Sequence, residues 1–190
     1  GAAVLVDATG DGYTNFVGCV QLQAPSPGDD IAINTSGGVQ FVKLGNGVFT
    51  LEWLAAMVQG APTGIADFDA TIGASNSKSA GGAFGSGMYF RCAFGDLGNN
   101  HWWVNTVNPN GSAVDTGVVV DANPHKFTII YDTTVPHIQF FIDGVLVSTR
   151  TTNLPSTIDV LLVCKLELES GAERTIDVDY CWFKYDIVRP

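Results

Sequence analysis

His125-Lys126-Phe127-Thr128-Ile129-Ile130-Tyr131-Asp132, followed by Ile138-Gln139-Phe140-Phe141-Ile142-Asp143-Gly144-Val145-Leu146-Val147, is the stretch that decides the fold. Apolar and polar residues alternate with a period of two, and β-branched and aromatic types dominate, as in half-buried strands. Asp143-Gly144 between two such runs predicts a tight hairpin, because Gly takes a positive φ without a Cβ penalty. Working outward, similar runs lie at 16–22, 39–44, 48–58, 87–94, 101–107, 118–121, 145–151, 158–168 and 175–188. Gly, Pro, Asn and Asp separate them at short intervals. This density of strands predicts two antiparallel sheets packed as a sandwich, almost no helix, and terminal strands side by side. Residues 59–87 differ: Gly60-Ala61-Pro62-Thr63-Gly64 and the Ser- and Gly-rich run at 75–82 predict a long surface loop.

The chain has 190 residues, the size of one domain, so a single unit over 1–190 is expected. A chain this long can bury a core without disulfides or metals. Its formal net charge is −10, and its 9 Lys and Arg residues are scattered. No basic stripe is present to neutralise a phosphate backbone, so nucleic acid and anionic membranes are not expected as partners. No apolar run approaches the roughly 18 residues of a membrane helix. The first seven residues lack the basic flank and length of a signal peptide. Cys19, Cys92, Cys164 and Cys181 are widely spaced without a C-x-x-C pair, which argues against zinc. Free thiols are expected, with Cys164–Cys181 pairing across a hairpin as the alternative.

The two quoted runs, with Thr152-Asn153-Leu154-Pro155 after them, resemble the concanavalin A-like lectin and glucanase superfamily, including laminin G-like modules. There a strand of the pattern f-y-i-D-G-v-l-v turns at Asp-Gly, and a Pro-containing loop follows. Ile176-Asp177-Val178-Asp179-Tyr180-Cys181-Trp182-Phe183-Lys184-Tyr185 is similar to the closing strand of laminarinases and lichenases, and residues 38–43 match an early one. The resemblance implies an all-β, two-sheet antiparallel jelly roll over most of the chain. Such domains are found in phage fibres, so it also implies a virion or extracellular setting and possible homotrimers.

Glycosidases of this superfamily place a Glu-x-Asp-x-Glu motif on one strand, so that alternation brings two carboxylates to one scissile bond. That motif is absent. Asp67-Phe68-Asp69, Glu167-Leu168-Glu169 and Asp177-Val178-Asp179 each put two acids on one face, and each reads as a solvated strand face. No G-x-S-x-G elbow accompanies His101, His125 or His137. Polysaccharide lyases with this fold use Arg, Gln, His and Tyr on the concave sheet. Tyr89, Arg91 and His101 are of these types, but the lyase motifs are missing. The sequence therefore reads as a non-catalytic module. The alternatives are a structural virion domain with a protein partner, or a diverged glycoside hydrolase or polysaccharide lyase.

The binding face follows from alternation. In residues 87–94, Met88, Phe90, Cys92 and Phe94 take one face, and Tyr89 and Arg91 the other. In 101–107, Trp102 and Val104 oppose His101, Trp103 and Asn105. Pairing the apolar faces gathers Tyr89, Arg91, Trp103, Asn105 and His101 outward. A flat aromatic ring beside planar polar groups suits a pyranose, so a glycan or cell-surface receptor is the expected partner. The competing reading puts Trp103 in a second packing layer beneath residues 59–87. Phe141, with Gln139 and Asp143 on its face, is expected to extend the groove. The resemblance further implies calcium at Asp179, helped by carbonyls of residues 35–38; Asp7 and Asp11 are weaker candidates.

Overall fold

A computed structural model describes residues 3–5, 20–28, 30–34, 42–43, 47–59, 68–76, 86–93, 99–107, 112–155, 159–171 and 173–187. The strands are β1 (Ala3–Leu5), β2 (Val20–Ala24), β3 (Asp30–Asn34), β4 (Val42–Lys43), β5 (Gly47–Gln59), β6 (Phe68–Ser75) and β7 (Gly87–Ala93). They continue with β8 (His101–Val107), β9 (Ser112–Val119), β10 (His125–Asp132), β11 (His137–Ile142), β12 (Val145–Arg150), β13 (Asp159–Leu168) and β14 (Arg174–Ile187). The first sheet has the order β1-β2-β14-β5-β10-β11-β12, and the second β3-β13-β6-β7-β8-β9 with β4 also on β13. All strand pairs are antiparallel. The expected all-β two-sheet sandwich is thus the observed fold. The terminal strands are not directly paired, because β2 stands between β1 and β14.

Period-two alternation builds the core between the sheets. Phe49, Leu51 and Trp53 on β5, Phe127 and Ile129 on β10, and Ile138 and Phe140 on β11 turn inward from the first sheet. They meet Phe68 and Ile72 on β6, Met88 and Phe90 on β7, Trp102 and Val104 on β8, and Leu162, Cys164 and Leu166 on β13. Aromatic contacts cross the layer: Phe90 lies 5.1 Å from Phe127 and 5.3 Å from Phe140, and Trp102 lies 4.7 Å from Phe127, between ring centroids. Each such side chain contributes about 1.5–3 kcal/mol by leaving water.

The Asp143-Gly144 hairpin forms as its sequence dictates. Both residues have positive φ, 52° and 79°, as a two-residue turn of this hand requires. The Asp143 carboxylate also ties the turn to β10: Oδ1 accepts from the Lys126 backbone N–H at 2.8 Å, and Oδ2 lies 2.6 Å from Nδ1 of His125.

The expected loop at 59–87 contains a strand. β6 runs through its middle, hydrogen-bonded to both β13 and β7. Its Gly73 is a packing requirement: a Cβ there would lie 2.5 Å from the Met88 carbonyl oxygen and 2.6 Å from the Tyr89 Cα. Residues 60–67 and 77–85, like Asp7, Asp11, Cys19 and residues 35–38, lie outside the described residues. Cys92, Cys164 and Cys181 are free thiols. Cys164 and Cys181 do not flank a hairpin, because β13 and β14 belong to different sheets.

Candidate functional site

The outer face of the second sheet carries the residues singled out by alternation. Register sets Tyr89 opposite Asn105 and Arg91 opposite Trp103. The second pair belongs to a row across the sheet: Lys165 faces Thr71, Thr71 faces Arg91, and Trp103 faces Asp115. His101 enters two residues before Trp103, on the same strand and face.

Burial divides this group. Tyr89 and Asn105 are each only 6% exposed. Tyr89 packs with Val163 in a small apolar cluster separate from the main core. Tyr89 and Val163 flank Gly73 in register on this face, so its most buried part centres on Tyr89 rather than Trp103. Burial pushes the Tyr89 hydroxyl up to about 12; the Arg91 charge works against that rise and the Asp69 charge adds to it. Arg91, His101 and Trp103 remain half-buried and open in part to solvent.

Two polar networks hold those three side chains. Arg91 donates from Nε to Oδ2 of Asp69 at 2.9 Å, with Nη2 at 2.8 Å from the same oxygen. On the other side, Trp103 donates its indole N–H to Oδ1 of Asn99 at 2.9 Å, and Nδ2 of Asn99 donates to Oδ2 of Asp115, also at 2.9 Å. His101 Nδ1 lies 3.0 Å from both Asp115 oxygens. Burial works upward on the Asp115 carboxyl, but hydrogen bonds from the Gly117 backbone N–H, His101 and Asn99 outweigh it and hold the group below the usual carboxylate range. The indole plane is therefore fixed at its nitrogen, between a cation on one side and an imidazole–carboxylate pair on the other. Asn99 and Asp115 are not singled out by the sequence, and Asp69 is read there only as part of a solvated strand face. Asp115 was hidden because β9 reads as a strand only from residue 118, whereas it begins at Ser112.

Asp69 and Glu167 are only part-buried on this face, and each is held by a cation rather than left to solvent alone. Lys165 is 3% exposed and bonds Oε2 of Glu167 at 2.7 Å. Asp177 accepts from Gln21 Nε2 at 2.8 Å on the first sheet.

Phe141 is not part of this face. It lies on β11 with its neighbours Ile142 and Phe140 turned into the core, so it stands on the outside of the first sheet, across the sandwich from Trp103. Gln139 shares that outer face, and Asp143 closes the same strand's hairpin, so neither extends the groove. Alternation gives a residue's face but not the sheet its strand joins.

Asp179 sits at the register shift of β14, between Val178 and Tyr180. Among the described residues no group of three His, Cys, Asp or Glu side chains is placed to hold a metal ion. The carbonyls of residues 35–38 expected to help Asp179 lie outside the described residues.

No known protein family and no curated protein sequence matches the chain. Solved structures do. The carbohydrate recognition domain of Emp46p, in its potassium-bound form, superposes with a TM-score of 0.64 at 10% identity, over 90% of this chain and 84% of that one. The fold is concanavalin A-like. An endo-β-1,4-glucuronan lyase from the fungus Trichoderma reesei matches with a TM-score of 0.60 at 13% identity, over 96% of this chain and 86% of that one. Botulinum neurotoxin type C, whose cell entry depends on two ganglioside molecules, matches at 0.58 and 11% identity over 96% of this chain but 41% of its own. The concanavalin A-like fold is thus shared among lectins, toxin domains and polysaccharide lyases, and identities this low speak for the fold alone.

Proposed function

We propose that this domain is a non-catalytic glycan-binding module whose ligand lies on the outer face of the second sheet, against Trp103. The observation that carries the reading is the Trp103 indole, half-buried, oriented by Asn99, and flanked by Arg91 and by the His101–Asp115 pair. A fixed ring offers a flat apolar surface to a pyranose, while Arg91, His101 and Asp115 supply donors and acceptors for its hydroxyls. Tyr89 and Asn105 act beneath them, as support. The neighbours of like fold include proteins titled for carbohydrate recognition, ganglioside interaction and polysaccharide cleavage. A glycan is the ligand those titles have in common.

Two features support binding over catalysis. The carboxylates brought together on this face are occupied: Asp69 by Arg91, and Glu167 by Lys165. Tyr89 is buried and its hydroxyl raised to about 12, the wrong direction for a residue that must give up its proton to act as a base. A shallow site of this kind binds a single glycan weakly. Several copies on a virion fibre, or on another extracellular protein, would supply avidity without new contacts, and a homotrimer is one such arrangement.

The test is binding of the purified domain, alone and multimerised, to a glycan array, beside Trp103→Ala with its folding checked by circular dichroism. The proposal expects binding of a restricted glycan set that Trp103→Ala abolishes. Binding unchanged by the substitution, or no binding by the multimer, overturns it.

A further inference from the structure

On the opposite side of the sandwich, the closing strand leaves large rings in solvent. Tyr180 is 37% exposed and Trp182 47% exposed. They lie two residues apart on the outer face of β14, opposite Leu54 and Glu52 of β5. With Glu52 and Cys181 they line a shallow depression of about 580 Å³. Its polar atoms form a single network centred on Glu52. The Tyr180 hydroxyl donates to Oε1 at 2.6 Å, the Thr128 hydroxyl approaches Oε2 at 3.4 Å, and the Lys126 ammonium lies 3.5 Å from Oε2. The hydrogen bond to Glu52, with burial behind it, pushes the Tyr180 hydroxyl up to about 12, so it remains a donor at any physiological pH.

The register carries this depression across the sheet. Trp182 faces Glu52, Glu52 faces Thr128, Thr128 faces Phe141, and Phe141 faces Leu146. One row thus places an aromatic ring at each end of a polar middle, three strands apart, or roughly 14 Å. We infer that this row is a second saccharide site, on the first sheet, that takes a short neutral oligosaccharide lying across the strands with rings against Trp182 and Phe141.

The chemistry selects that occupant. The rows beside it are mixed, with Tyr180, Leu54 and Lys126 on one side and Lys184, Thr50, Ile130 and Gln139 on the other, so charged, hydroxyl and amide groups interrupt the apolar surface. A protein–protein interface needs a broader apolar centre, of about 1,000 Å² or more in all. The middle of the row offers hydroxyl, ammonium and carboxylate groups together, as sugar hydroxyls require. Glu52 and Lys126 offset each other, while Asp179, next to Tyr180 on β14, and Asp143, at the β11–β12 turn beside Lys126, add negative charge, so uronate or sialate groups are disfavoured. This site is independent of the one at Trp103.

Native gel electrophoresis through mixed-linkage β-glucan, glucomannan or galactomannan tests it, since the acidic chain migrates freely and a weak ligand retards it. The inference expects retardation in at least one of these gels. Measured in a Trp103→Ala background, where the site on the second sheet no longer contributes, Trp182→Ala should lower the retardation constant at least ten-fold and Trp182→Phe should keep part of it. Equal mobility of wild type and Trp182→Ala in all three gels overturns the inference. So does self-association in sedimentation that Trp182→Ala removes, which would make the strip a contact between copies. Loss with Trp103→Ala alone overturns it while leaving the site on the second sheet standing.

Discussion

Asp69 and Glu167 stand directly opposite each other on β6 and β13, and each carboxylate is held by its own cation. Like charges facing across a strand pair destabilise a sheet. Here Arg91 and Lys165 offset that repulsion, and the result is an alternating quartet on the face that bears Trp103.

Removing one cation should expose the conflict. Arg91→Met leaves the Asp69 carboxylate, 15% exposed, without the guanidinium and still opposite Glu167. A loss of about 1–3 kcal/mol is expected, the cost of an unsatisfied buried charged group. The Arg91→Met/Asp69→Asn pair should recover part of it. Urea unfolding of the two variants measures both, and equal stability of Arg91→Met and wild type would contradict the arrangement.

Asp115 and Asp121 should both contribute to the acid side of the stability profile, beside Asp132, which hydrogen bonds from Thr134 also lower. Burial works upward on Asp121 too, but hydrogen bonds from Asn123 and His125 outweigh it and lower its pKa. Groups lowered in the folded state stabilise it fully above their unfolded value, about 3.9, and lose that contribution as pH falls through the folded value. Asp115→Asn/Asp121→Asn should melt below wild type at pH 7 and converge with it as the pH drops through 4 to 3. A constant gap in melting temperature across that range would argue against the assignment.

Gly73 and Gly144 should fail differently on replacement by Ala. At Gly73 the new Cβ meets backbone atoms of Met88 and Tyr89 at 2.5–2.6 Å, so β6 and β7 must part; a cost of about 1–3 kcal/mol or more is expected. At Gly144 nothing lies within 4 Å, and only the φ of 79° resists, for about 1 kcal/mol. Thermal unfolding ranks the two, and the reverse order would place the close approach elsewhere.

The thiols should report the layers. Burial pushes Cys92 up to about 12, with Asp69 adding and Arg91 opposing, and it raises Cys164 as well. Neither should alkylate in the native protein, whereas both should react in denaturant. Cys181 is partly exposed, and burial raises it to about 12, so it should react slowly. Peptide mass spectrometry after timed iodoacetamide treatment distinguishes them; rapid native labelling of Cys164 would contradict a closed core.

Much of this architecture is legible in sequence where alternation is regular. β5, β7, β8, β10, β11, β12 and most of β14 follow from period two, and so does the outward grouping of Tyr89, Arg91, Trp103 and Asn105. β6 is hidden because Phe68-Asp69-Ala70-Thr71-Ile72-Gly73-Ala74-Ser75 is small and Gly-containing, for a reason that lies on the neighbouring strand. Burial of Tyr89 and Lys165 was equally hidden, since alternation assigns a residue to an outer face without saying how far its neighbours there bury it. Phe141 was misplaced because a strand pattern does not say which sheet a strand joins. Trp182 and Tyr180 read only as a closing strand, and their exposure follows from packing that local sequence does not encode.

The central claim is that a glycan stacks on Trp103, and nuclear magnetic resonance of the tryptophan indoles tests it directly. The Nε1–H of Trp103 is bonded to Asn99, whereas those of Trp53 and Trp102 are buried in the core. On titration with a glycan selected by the array, the account predicts a saturable shift of the Trp103 resonance, with Trp53 and Trp102 unmoved and no shift in Asn99→Ala comparable to that of wild type. A Trp103 resonance that stays fixed while the glycan binds would contradict it.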